Sequence, residues 1–235
     1  MPIEIVGLDG DDTLWESEIH FADAQAHFES MMARHLGHPE GAAARGVIDR
    51  LYDTERRNLA VFGYGVKAFT LSLIETAIEV TDGAITTAEI GELLARGREM
   101  LGHPTELLPD VAEVVPALVS AGFRLVLVTK GDLFDQERKF AGSGLAEHFE
   151  RVEIVSTKDA ATYRRILGSM RAEPDTFCMV GNSLPSDVLP VLSIGGHAVH
   201  IPHELTWALE QSGADHDGPT LTRLAELPAW LATNG

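Results

Sequence analysis

The sequence predicts an α/β protein: a mostly parallel sheet flanked by helices, with an inserted unit of four helices. Three observations predict it. A short apolar run from Pro2 to Leu8 leads directly into the acid-rich turn Asp9-Gly10-Asp11-Asp12-Thr13-Leu14. From Glu16 to about Gly102 the periodicity is helical and no strand pattern interrupts it. From Pro109 onward, β-branched runs alternate with helical stretches, the pattern of parallel strands joined by right-handed crossovers.

The helices of the insertion follow from spacing and punctuation. Ile19, Phe28, Met31, Met32 and Leu36 recur on one helical face, and a second stretch from Ala42 to Leu59 carries Val47 and Leu51. Gly63, Tyr64 and Gly65 then break the pattern. A third helix is predicted from Lys67 to Val80. A fourth starts at Thr86, where Glu89 three residues on completes a capping-box signature. The predicted organisation is therefore a core of residues 1–15 and 106–235, with the helical insertion over 16–105.

In the second half, a helix from Val111 to about Ala121 precedes the strand Arg124–Val128, which ends in Thr129-Lys130-Gly131-Asp132. Further strands are predicted at Val152–Val155, Thr176–Val180 and Ala198–Ile201. Helices are predicted near Leu133–Ala141, Ala160–Met170, Pro185–Leu192 and Leu221–Leu231, the last after a loop over Ser212–Pro219.

Charge narrows the function classes. The 235-residue chain has 18 Lys and Arg against 36 Asp and Glu, a formal net charge of −18, which repels nucleic-acid backbones and anionic membranes. Any anionic substrate must meet locally focused cations, a metal included. Cys178 is the single cysteine, so no intramolecular disulfide forms, and the chain opens on a strand without a basic and then apolar leader. The expected setting is the cytoplasm. No apolar run approaches the roughly 18 to 20 residues needed to cross a bilayer.

At the carboxyl edge of a parallel sheet, where ligands bind, Asp9 and Asp11 stand two residues apart. Such a pair divides nucleophilic attack from proton transfer. Hydrophobic strand, then Asp-x-Asp-x-Thr-Leu, resembles the first motif of the haloacid dehalogenase-like (HAD) superfamily, with Asp12 where most members have Gly. Three later segments match the remaining motifs in order. Thr129 resembles the second-motif hydroxyl and Lys158, in Val155-Ser156-Thr157-Lys158-Asp159, the third-motif lysine. The run Gly181-Asn182-Ser183-Leu184-Pro185-Ser186-Asp187 resembles the fourth, with Asn182 where the family has an acid. One such motif is weak evidence, whereas four in order are strong.

The resemblance implies a Rossmann-like core, a helical C1 cap in the insertion, and a Mg²⁺-dependent phosphatase acting on a small phosphorylated metabolite. In that scheme Asp9 attacks phosphorus and Asp11 moves the proton. Thr129, Lys158 and the backbone amides of Lys130 and Gly131 hold the phosphoryl oxygens. Asp9, the Asp11 carbonyl and Asp187 hold the metal, with Asn182 as a weaker oxygen donor. Tyr64 and Lys67 either project toward this site and read the substrate, or sit in a tight interhelical turn. A monomer or a homodimer is expected, with no nucleic-acid or membrane partner.

Two alternatives share the scaffold. A 2-haloacid dehalogenase needs neither metal nor the acid at Asp11, since halide leaves carbon without a proton. A catalytically weakened phosphate-ligand-binding protein would take Asn182 as its first lesion. Lys67 leaves a narrow opening for Schiff-base phosphonate hydrolysis. His197, His200 and His203 suggest a metal cluster, but along a strand residues three apart point to opposite faces, so a shared zinc site is not predicted. Cys178, in an apolar run, reads as a small core residue.

Overall fold

The computed structural model describes residues 2–37, 42–205, 207 and 218–234, with residues 42–45 as backbone only. The chain divides into two compact units. One comprises the chain up to Ser17 together with Pro104 onward, and the other runs from Glu18 to His103.

The first unit is built on five parallel strands, β1 (Ile5–Leu8), β2 (Arg124–Lys130), β3 (Arg151–Val155), β4 (Phe177–Gly181) and β5 (His197–His200), in the order β3-β2-β1-β4-β5. β1 is central because β2 and β4 pair with its two edges, Leu8 lying opposite both Leu127 and Val180. The chain steps outward to β3 and then crosses back past β1 to β4. That reversal is a topological switch point, and the crevice beyond the strand ends there is where open α/β sheets bind ligands.

Alternation along the strands decides which layer each side chain enters. Val6, Leu8, Leu125, Leu127, Cys178, Val180 and Val199 pack in one cluster with Val111, Val114, Val115 and Leu118 of α5 (Val111–Ser120) and Leu227 and Leu231 of α9 (Leu227–Asn234). Ile5, Val126, Val128, Phe177, Met179 and Ala198 face the other way, onto Tyr163, Ile166 and Leu167 of α7 (Ala160–Met170) and Val191 of α8 (Leu189–Leu192). The strands are apolar on both faces because helices cover both. Gly7 is required by this packing, since a Cβ there would stand 2.6 Å from the Phe177 ring. Between β2 and β3 lies α6 (Leu133–Gly142), capped by the Asp132 side chain, which accepts from the Asp135 N–H.

The last helix starts later than the sequence pattern suggests. Leu221 N–H donates to the His200 carbonyl, holding the chain extended alongside β5, and the regular helix begins only at Leu227. Of the loop expected over Ser212–Pro219, residues 212–217 lie outside the described residues.

The second unit contains α1 (Glu18–Leu36), α2 (Ala42–Phe62), α3 (Val66–Val80) and α4 (Thr87–Gly102) around a core of Phe28, Met31, Met32, Leu51, Phe69, Leu73 and Leu93. Thr86 caps α4 in a full capping box with Glu89. Gly63 and Gly65 take positive φ between α2 and α3, placing Tyr64 in that turn and Lys67 in the first turn of α3. No described helix is long and apolar enough to cross a membrane.

Candidate active site

Asp9 follows the last residue of β1, and its N–H still joins the sheet by donating to the Val180 carbonyl at 3.0 Å. The next residues turn sharply, as the Gly10 carbonyl accepts from Leu14 N–H at 2.8 Å. Gly10 has no room for a side chain, because a Cβ would lie 2.6 Å from the Trp15 ring and 3.2 Å from Thr129 Oγ1. Asp12 adopts φ 59°, a left-handed conformation that Asp tolerates, and its carboxylate accepts from Ser17 N–H at 3.0 Å. That conformation explains how Asp stands at a position where glycine is usual.

Three strand ends and one loop converge. Lys158, three residues beyond β3, is buried and donates to Asp9 Oδ1 and, at 2.7 Å, to Asp187 Oδ1. Asp187 lies in a π-helical turn over Leu184–Val188, where its carboxylate also accepts from Ser183 N–H at 3.0 Å. Gly181 makes room for it, since a Cβ there would fall 2.3 Å from Asp187 Oδ2. Thr13 donates to Asp9 Oδ2 at 3.4 Å.

Two buried carboxylates thus share one ammonium. Burial and the neighbouring Asp187 push the Asp9 carboxyl up to about 8 against the pull of Lys158. For Lys158, burial works against the charge, but Asp187 and Asp9 outweigh it and hold the ammonium above the ordinary lysine value. The cluster is short of positive charge. Carboxylate oxygens are the hard donors a divalent cation such as Mg²⁺ takes, and each keeps a second lone pair beside its hydrogen bond. A divalent ion would turn the net −1 of the ionised cluster into a +1 that suits an anionic substrate, so the residues present fit such an ion.

Asp11 faces a different set. Its carboxylate accepts from Trp15 Nε1 at 2.7 Å, Gln136 Nε2 at 2.8 Å and Lys139 Nζ at 2.8 Å. Burial raises its pKa, but Lys139 and the two hydrogen-bond donors outweigh that and hold it below the usual carboxylate range. Gln136 Oε1 in turn accepts from Thr129 Oγ1 at 3.3 Å, joining Thr129 to Asp11. Lys130 Nζ reaches Ser186 Oγ at 2.8 Å, and Gly131 has φ 146°. Asn182 offers its backbone carbonyl to His200 Nε2 at 3.0 Å. Asp9, Asp11, Thr129, Lys130, Gly131, Lys158, Asn182 and Asp187 all belong to the sheet-containing unit, whereas Tyr64 and Lys67 belong to the helical one.

The haloacid dehalogenase-like hydrolase family model matches residues 3–195. The chain belongs to this family. A haloacid dehalogenase-like hydrolase from Xanthomonas campestris is 41% identical over 98% of this chain and 91% of its own, with a TM-score of 0.84. Two more distant structures share the fold. A predicted phosphoglycolate phosphatase from Haemophilus somnus has 17% identity, 97% coverage of both chains and a TM-score of 0.63. A 2-haloacid dehalogenase from Pseudomonas syringae has 21% identity, coverage of 98% of this chain and 99% of its own, and a TM-score of 0.63. No curated protein matches the chain.

Within this HAD hydrolase, sequence reasoning missed the residues that grip Asp11. Gln136 and Lys139 are three apart on α6 and so share a helical face, a spacing visible in the sequence. Nothing local indicates that this face meets a residue more than 120 positions earlier.

Proposed function

We propose that this HAD hydrolase is a Mg²⁺-dependent phosphatase of small phosphomonoesters. The observation that carries the reading is Asp187 buried beside Asp9. A second carboxylate next to a nucleophile repels it, and a site built this way suits a divalent cation and an anionic phosphoryl substrate. Displacement of halide from carbon requires neither a metal nor a proton-transferring Asp11.

Asp9, Asp187 and the Asp11 backbone carbonyl would hold Mg²⁺, with the Asn182 amide as a further oxygen donor. When bound, the metal offsets the repulsion between the Asp9 carboxylate and the substrate. Asp9 attacks phosphorus in line, forming an aspartyl-phosphate as the phosphorus–oxygen bond to the alcohol breaks. Lys158 keeps Asp9 oriented and, with Thr129 and the amides of Lys130 and Gly131, holds the phosphoryl oxygens. Asp11 supplies a proton to the leaving oxygen and recovers one from the water that hydrolyses the intermediate. The grip of Lys139, Gln136 and Trp15 favours its ionised form, the form that accepts the water's proton.

The helical unit serves as the C1 cap, with Tyr64 and Lys67 as specificity residues. The substrate is a small phosphorylated metabolite of the cytoplasm, turned over by a monomer or homodimer. The relatives' descriptions include a phosphatase and a dehalogenase, so the test has two arms. Hydrolysis of p-nitrophenyl phosphate is measured with Mg²⁺ or EDTA for wild type and Asp9→Asn. Halide release from chloroacetate is measured alongside. Metal-dependent turnover abolished in Asp9→Asn is the expected result, and halide release without phosphatase activity overturns the reading.

A further inference from the structure

Asp12, Glu16 and His203 form a second group of metal-ligating side chains, their ligand atoms all within 4.8 Å of one another. The imidazole is fixed in orientation. His203 Nδ1 lies 2.9 Å from the Leu205 carbonyl, and a carbonyl only accepts, so Nδ1 carries the proton and Nε2 the lone pair. Nε2 then stands 3.8 Å from Glu16 Oε2, and Asp12 Oδ1 lies 3.8 Å from Nδ1 on the neighbouring side of the ring. Ligands sharing one zinc ion at about 2.0–2.2 Å stand roughly 3–4 Å apart, so Nε2 and Glu16 Oε2 already lie at that spacing and Asp12, within 4.8 Å, closes on them by a side-chain shift.

Both anchors are held by backbone. Asp12 is fixed by Ser17 N–H, and His203 follows two residues after Ile201, whose N–H donates to the Gly181 carbonyl. A ligating histidine whose other ring nitrogen donates to a backbone carbonyl is the arrangement that sets tautomer and aim in metal sites. One imidazole with two carboxylates selects a borderline cation over Mg²⁺, which prefers oxygen alone.

We propose that Asp12, Glu16 and His203 bind one zinc-class divalent cation, with water in the remaining position, tying the turn after β1 to the segment after β5. The site stands independently of the phosphatase reading, and binding of the metal alone tests it. Equilibrium dialysis with Zn²⁺ is run on wild type, His203→Ala, Glu16→Gln and Asp187→Asn, each first checked for native circular dichroism. One zinc per chain is expected to survive in Asp187→Asn, and wild type takes that zinc beside any held at Asp9; His203→Ala and Glu16→Gln weaken it at least about tenfold. Zinc-edge absorption of the loaded wild type should show an imidazole in the first shell. Undiminished binding in both His203→Ala and Glu16→Gln overturns the proposal, as does loss confined to Asp187→Asn, which would put the zinc beside Asp9. Should His203→Ala fail to fold, the half-exposed Glu16→Gln carries the comparison alone.

Discussion

Lys158 Nζ donates to Asp187 Oδ1 at 2.7 Å, and the same nitrogen serves Asp9, so one buried cation holds two buried carboxylates together. Removing it leaves both acids without their charge partner in a low-dielectric interior. Lys158→Met is expected to destabilise the metal-free protein by about 3–5 kcal/mol, the range for breaking a buried ion pair from one side. Urea unfolding in EDTA measures it. A loss below 1 kcal/mol would mean the carboxylates are solvated without the lysine.

Asp9 gives the opposite expectation. Its folded value of about 8 lies above the ordinary 3.8, so the folded state keeps a proton that the unfolded chain releases. The contribution of this group is fully present below about pH 4 and is lost as pH rises through 8. Asp9→Asn, which mimics the protonated form, should therefore abolish turnover yet stabilise the metal-free protein at pH 8 by about 1–4 kcal/mol. Thermal unfolding from pH 4 to 8 checks this: the two melting curves should converge at the acid end. A gain independent of pH would point to packing instead of charge.

The fold was legible where the signal is local. The apolar run before Asp9, the glycines around Tyr64 and the Thr86–Glu89 capping box each act within a few residues, and each marks an element in the structure. The start of the last helix was not legible, because the extended pairing of Leu221 with His200 is a sheet contact that competes with local helical spacing. At the site, motif order alone picked out Asp9, Lys158 and Asp187, which the fold brings into one cluster. Trp15, Gln136 and Lys139 around Asp11 escaped notice, and His203 was considered only together with His197 and His200. Strand geometry around the predicted Ala198–Ile201 set His203 against His200, whereas β5 ends at His200 and His203 lies 3.8 Å from both Asp12 and Glu16.

Cys178 sits between the sheet and α5 with no exposed surface, and burial pushes its thiol up to about 12. The thiolate is the reactive form. In native protein at pH 8 the group should not react with a thiol-specific disulfide reagent over an hour, and one equivalent should react at once in denaturant. Rapid labelling of the native protein would show that the β4 layer opens readily.

Lys139 tests how Asp11 is used. Its ammonium lies 2.8 Å from Asp11 Oδ1 and 3.5 Å from Asp135 Oδ2, and with it gone the burial of Asp11 is opposed only by Trp15 and Gln136. Losing a nearby cation raises a carboxyl pKa, so Asp11 in Lys139→Met should titrate at higher pH than in wild type. If Asp11 must be ionised to take a proton from the water that hydrolyses the intermediate, the acid limb of kcat for p-nitrophenyl phosphate, measured where that step limits turnover, moves to higher pH. Activity then falls more at pH 5 than at pH 8, and Lys139→Arg restores most of it. A uniform loss at every pH, with the limb unmoved, would assign Lys139 to positioning Asp11 without controlling its charge.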